Sequence, residues 1–192
     1  MKTIAKTLLP HKPPMTSHLL RTLALTCTLA MAGCAATVTR SGPAPAPLSV
    51  SPAATRAVFV RVEAAPGMPP GGNWETFKTD WRDGMAIAAG RSGMQVTWSD
   101  TEEARSADPA VLVVVKVRNY QYMTPETRIG LGILAGNAYV NTEVEFYELP
   151  ARKLLGSRLY GTTTSPAEGI LSATTRKQVL AISDEVIADI RR

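Results

Sequence analysis

Three carboxylates crowd one stretch of this chain. Glu143, Glu145 and Glu148 fall within six residues. Paired carboxylates can perform acid–base catalysis or bind calcium. Glu143 and Glu145 alternate with apolar neighbours, which is the pattern of a strand's solvated outer face. Gly130, Gly132 and Gly136 form a second candidate. Their G-x-G-x-x-x-G spacing precedes a strand rather than opening a helix, and no Gly-Lys-Ser/Thr follows. A phosphate cradle is therefore a poor reading, and a glycine-rich strand, bulge or hairpin loop is the plainer one. The same segment also reads as a partner surface. Ile129, Gly130, Leu131, Gly132, Ile133 and Leu134 are apolar and flexible, with no charge between Ile129 and Glu143,. Trp74, Phe77 and Trp81 could box a ligand, but their helical spacing favours core packing. Lys116, Arg118, Tyr120 and Tyr122 could meet a polyanion or a sugar, or form an outer strand face.

A fourth feature concerns location. Leu23 to Ala32 is an apolar run of ten residues, preceded by Lys2, Lys6, Lys12 and Arg21. Export signals have apolar regions of about 7 to 15 residues, whereas a spanning helix needs about 20. Met31-Ala32-Gly33-Cys34 follows the lipobox pattern: a bulky apolar residue, two small ones and a cysteine. Residues 1–33 are thus expected to be removed, from a start at Met1 or Met15, with lipid carried on Cys34. Ala35 rather than Asp follows the anchor, which implies the outer membrane with the domain facing the periplasm.

Cleavage at that point changes what chemistry remains. Four of the 21 basic residues precede Cys34 and none of the 16 acidic ones do, so the remainder is nearly neutral. It offers no basic patch for nucleic acid. His11 and His18, the chain's two histidines, also precede Cys34, as does Cys27. Ser-His-Asp and Cys-His nucleophiles and His/Cys zinc sites are excluded. So is a disulfide within one chain. No catalytic, metal or cofactor site is expected.

The elements follow from periodicity. Ala35 to Thr55 is rich in Pro and Ala and reads as an extended tether, reaching about 60 Å at about 3.1 Å per residue. Residues 34–55 are therefore assigned to anchor and tether, and 56–192 to one globular domain. Val58 to Glu63 alternates as a strand. Asn73 caps a helix over 74–91, with Gly84 on the apolar side allowing close approach to a sheet. Asp80 and Asp83 fall on or near its polar side, and Gly93 ends it. Further strands are expected at Met94 to Trp98, Val111 to Tyr122, Ala138 to Tyr147 and Lys153 to Thr162. Val111 to Val115, continuously apolar, suits a central strand covered on both faces. Ser165-Pro166-Ala167-Glu168 is a capping box opening a second helix, with Val179, Ile182, Val186 and Ile190 as its stripe. The order is β-α-β-β-β-β-α. It implies a two-layer α+β domain: a mostly antiparallel sheet of about five strands with both helices on one face.

This layout resembles bacterial lipoproteins with a domain of unknown function of the DUF 4410 type. The resemblance rests on Gly130-Leu131-Gly132 leading into the Val140 to Glu148 strand, then the turn, Leu155-Gly156 and the C-terminal helix. It covers most of residues 56–192. It implies an envelope lipoprotein without assigned chemistry, and no functional residue carries over. The leading expectation is a non-enzymatic envelope module that binds a protein partner or self-associates. A carboxylate-dependent envelope enzyme, or a small-ligand or glycan binder, is the alternative.

Overall fold

The computed structural model describes residues 36–41, 46–101, 106–131, 137–163 and 174–192. The chain divides into Met1–Gly33 and Cys34–Arg192, and the described residues all belong to the second unit. Cys34, Gly132, Ile133, Leu134, Gly136 and the Ser165–Glu168 box lie outside them.

The elements in chain order are β1 (Val38–Ser41), β2 (Ala57–Ala64), α1 (Trp74–Arg91), β3 (Gln95–Trp98), β4 (Ala110–Gln121), α2 (Pro125–Leu131), β5 (Tyr139–Leu149), β6 (Lys153–Thr163) and α3 (Thr175–Arg191). The six strands form one sheet in the order β1-β6-β5-β4-β2-β3. β2 pairs in parallel with β3 and β4, since α1 and the stretch after β3 provide the long connections that parallel pairing requires,. The β4–β5, β5–β6 and β1–β6 pairs are antiparallel. The expected α+β layout is the observed one, and all five expected strands are present.

Alternation places the core. Val58, Val60, Val111, Val113, Val115, Val140, Val144 and Phe146 lie buried on one sheet face, against Phe77, Trp81 and Met85 of α1 and Val179, Ile182 and Val186 of α3. Phe77 and Trp81 are fully enclosed. Burial of a side chain of Phe size contributes about 1.5–3 kcal/mol. A smaller cluster of Ala110, Leu112, Val114 and Leu149 sits on the other face, with Phe59 and Tyr147 packed against it. The continuously apolar Val111 to Val115 run thus serves both faces of a central strand.

Five local expectations are corrected. Part of the presumed tether joins the sheet: Val38–Ser41 pairs with Leu159–Thr162 as an edge strand. Gly130 lies inside a helix, α2, rather than in a strand, bulge or hairpin loop, while Gly132 and Gly136 fall outside the described residues. Thr124 Oγ1 accepts the Thr127 amide at 3.1 Å, and Pro125 occupies the first helical position. That is the start signal that the glycines masked. Gly84 admits close approach of a helix, not of the sheet: a Cβ there would lie 2.9 Å from Ser183 Oγ on α3. Asp80 is buried rather than on the polar side, and accepts the Tyr122 hydroxyl at 2.8 Å.

The fifth concerns β4. Its register against β5 shifts between Val117 and Asn119. A one-residue bulge reverses which face later side chains occupy. Tyr120 and Tyr122 therefore turn toward the helices instead of sharing a face with Lys116. Tyr120 stacks on Phe77 with centroids 4.3 Å apart and planes 4° from parallel.

Candidate functional site

The carboxylates do not converge. Glu143 and Glu145 share a sheet face, as alternation requires, but Glu145 is occupied. Lys116 Nζ donates to it at 2.6 Å across the β4–β5 pair, and the Tyr147 hydroxyl at 2.7 Å. Burial pushes its carboxyl up, while these two donors outweigh that and hold it below the usual range. The same contact holds the Lys116 ammonium above its ordinary value. Glu148, near the end of β5, accepts the Ser51 amide at 3.2 Å. A catalytic pair needs one carboxyl kept protonated beside one kept ionised; Glu145 is held ionised by a lysine instead. Among the described residues, no group of three or more His, Cys, Asp or Glu could hold a metal ion.

The aromatic residues are structural. Trp74, Phe77, Tyr120 and Tyr122 form a connected ring cluster with Trp81 edge-on to Phe77. The Tyr122 phenol is raised by burial first and by its bond to Asp80 second. Trp74, Phe77 and Trp81 pack within this cluster rather than around a ligand box, while Tyr120 and Tyr122 also border a cavity of about 350 Å³ with Gly71 and Asn73.

A charged corner was not foreseen. Asp189, buried near the end of α3, accepts the Tyr160 hydroxyl at 2.6 Å and Arg192 Nη1 at 2.6 Å. Arg40 of β1 lies 3.2 Å from the same carboxylate and also pairs with Glu185. Burial, then the carboxylate, pushes the Tyr160 phenol far up. These partners fasten β1 and β6 to α3 and leave Asp189 satisfied, which is a structural role.

Of the expected partner surface, Ile129, Gly130 and Leu131 are described. They end α2, and Ile129 (73% exposed) and Leu131 (55%) project into solvent. Space around Gly130 is open. Isolated exposed apolar residues are ordinary; these two stand two positions apart, about 200° around the helix, and so present separate apolar points rather than one patch. A polar groove at the far end of β4 and β5, bordered by Asn119 and Asn141, completes the candidate surfaces.

No family model matches the chain, and no curated protein does. Solved structures with a similar course include a PelC dodecamer from Paraburkholderia phytofirmans, 17% identical with a TM-score of 0.42, covering 77% of this chain and 97% of that one. Another is protein XCC0632 of Xanthomonas campestris, family DUF330, 14% identical with a TM-score of 0.41, covering 80% and 91%. At these identities and TM-scores, neither carries an argument about what this chain does.

Proposed function

We propose that the chain is a non-enzymatic binding module, tethered to a bacterial outer membrane through lipid on Cys34, that meets a protein partner or its own copies through α2. This is the kind of protein that the DUF 4410 resemblance implies. The lipobox-like Met31-Ala32-Gly33-Cys34 supports the anchor, and Ala35 supports the outer membrane. The single observation that carries the binding reading is the exposure of Ile129 and Leu131 on one short helix. Burying either side chain against a partner supplies a small apolar anchor of about 1.5–3 kcal/mol. The absence of enzymatic activity is supported by the lysine-held Glu145 and by a sequence with no histidine after His18.

In-cell crosslinking tests the surface. A crosslinked species present for the natural chain should disappear for the double variant Ile129→Asp, Leu131→Asp at unchanged abundance. Its mass distinguishes a second copy from another protein. Only monomer in both cases would end this reading. Membrane fractionation tests the anchor: Cys34→Ser should release the chain, and an unchanged distribution would refute lipidation.

A further inference from the structure

The sheet face opposite α1 and α3 is not uniform. Near Lys116 and Glu145 it is charged, but toward the far end of β4 and β5 it becomes an uncharged groove. Register builds it: Asn119 pairs with Asn141, Asn141 with Gly161, and Gly161 with Thr39, so one row crosses four strands. The next row sets Gln121 beside Tyr139. The bulge at Val117–Asn119 is what brings Asn119 and Gln121 to this face while sending Tyr120 to the other,.

A cavity of about 560 Å³ lies here, bordered by Thr39, Asn119, Gln121, Asn137, Tyr139 and Asn141. That falls within the ordinary range for ligand sites, about 300–1,000 Å³. Two neighbouring cavities, about 300 Å³ and 350 Å³, also border on Asn119. The first of these is also bordered by Arg118 and the second by Tyr120 and Tyr122, so the uncharged lining belongs to the main cavity.

The lining selects the chemistry. Among the described residues, carboxamides, hydroxyls and one phenol ring border the main cavity, and no formal charge does. An anion would find no cation in it, a metal no carboxylate, and an apolar ligand would strand the amides. Each carboxamide offers two donors and an acceptor, the complement of vicinal hydroxyls. Asn141 Nδ2 donates to Asn119 Oδ1 at 2.7 Å, which fixes both amides and leaves the Asn141 oxygen and the Asn119 nitrogen for a ligand. Gly161 keeps the floor open: a Cβ there would lie 2.9 Å from Asn141 Oδ1 and 3.1 Å from Thr39 Oγ1. Tyr139 adds an amphipathic ring on which a sugar's apolar face can rest.

We infer that this groove binds a neutral oligosaccharide, with one sugar ring against Tyr139 and its neighbour over the Asn119–Asn141 pair. The site is independent of the α2 surface, and its main cavity is bordered by none of the tryptophans nor by Tyr120 or Tyr122.

Isothermal titration of the purified full chain with chitotetraose, cellotetraose and maltotetraose tests it, with an acidic alginate oligomer as the charged comparison. At least one neutral probe should bind. Affinity should fall by about tenfold or more in Asn119→Ala with Asn141→Ala, and again in Tyr139→Ala, each losing contacts worth about 1.4 kcal/mol per tenfold. Gly161→Ala, which intrudes on the floor without removing any lining group, should weaken binding too. Ile129→Asp should leave it unchanged, so failure here and failure of the α2 reading can be told apart. Absence of heat with all three neutral probes at millimolar concentration, binding of the alginate oligomer alone, or full affinity in the groove variants would each overturn the inference.

Discussion

Gly84→Ala sets two known effects against each other at a single position. In the interior of a helix such as α1, alanine is favoured over glycine by about 1 kcal/mol. At this site the added methyl would lie 2.9 Å from Ser183 Oγ and 3.4 Å from Val179 Cγ1 on α3. Ser183 is fully enclosed, and its hydroxyl donates to the Val179 carbonyl at 2.9 Å. Swinging that hydroxyl aside leaves a buried donor unpaired, at about 1–3 kcal/mol. Separating the helices instead is overpacking, at about 1–3 kcal/mol. Packing therefore wins, and the variant should lose about 1 kcal/mol. Ser183→Ala removes the obstructing atom. In that background Gly84→Ala should gain about 1 kcal/mol, since only the helix preference remains. The coupling between the two sites should then be about 2 kcal/mol, within the span found for residues in contact. Urea unfolding followed by tryptophan fluorescence gives all four corners of the cycle. A stabilising Gly84→Ala in the natural background, or an equal cost in both backgrounds, would refute the reasoning.

Tyr160→Phe should cost about 1.5–3 kcal/mol in urea unfolding, because it removes a 2.6 Å bond to the buried Asp189 carboxylate,; no measurable loss would show that Arg192 and Arg40 suffice. Burial raises the Asp80 carboxyl above its ordinary value of 3.8, with the Tyr122 hydroxyl only partly opposing it. The folded state then binds more protons than the unfolded one across that interval, so Asp80's contribution is fully present below 3.8 and is lost as pH rises through the raised value,. Asp80→Asn should flatten that fall in the urea midpoint, and an identical pH profile in the variant would contradict it.

Amphipathic elements were legible because burial imposes a period on them. Val58 to Glu63, the β5 alternation and the α3 stripe each declare their facing residues within a single window. What failed depended on partners distant in sequence. β1 carries one apolar residue in four, and its place at the sheet edge is secured by Arg40 reaching Glu185 and Asp189 in the C-terminal helix. α2 had a local signal in Thr124-Pro125-Glu126, but glycine content outweighed it. The β4 bulge has no compositional mark, yet it decides that Tyr120 joins the core while Asn119 faces outward. The polar groove was invisible for the same reason. Asn119 and Asn141 are unremarkable in their own strands and become a pair only through register. The carboxylates misled because the sequence shows their spacing and not Lys116 opposite Glu145.

The corner where β1 meets α3 decides how the domain bears tension. The first described strand is held by four rungs to β6 and by Arg40 to the last turns of the chain. A pull on the segment preceding Val38 is thus not borne by a peripheral strand alone. It is divided between the sheet and the C-terminal helix, through Asp189 and its bond to Tyr160. Removing the Arg40 contacts would leave the edge strand to peel away rung by rung, at a force set by single hydrogen bonds.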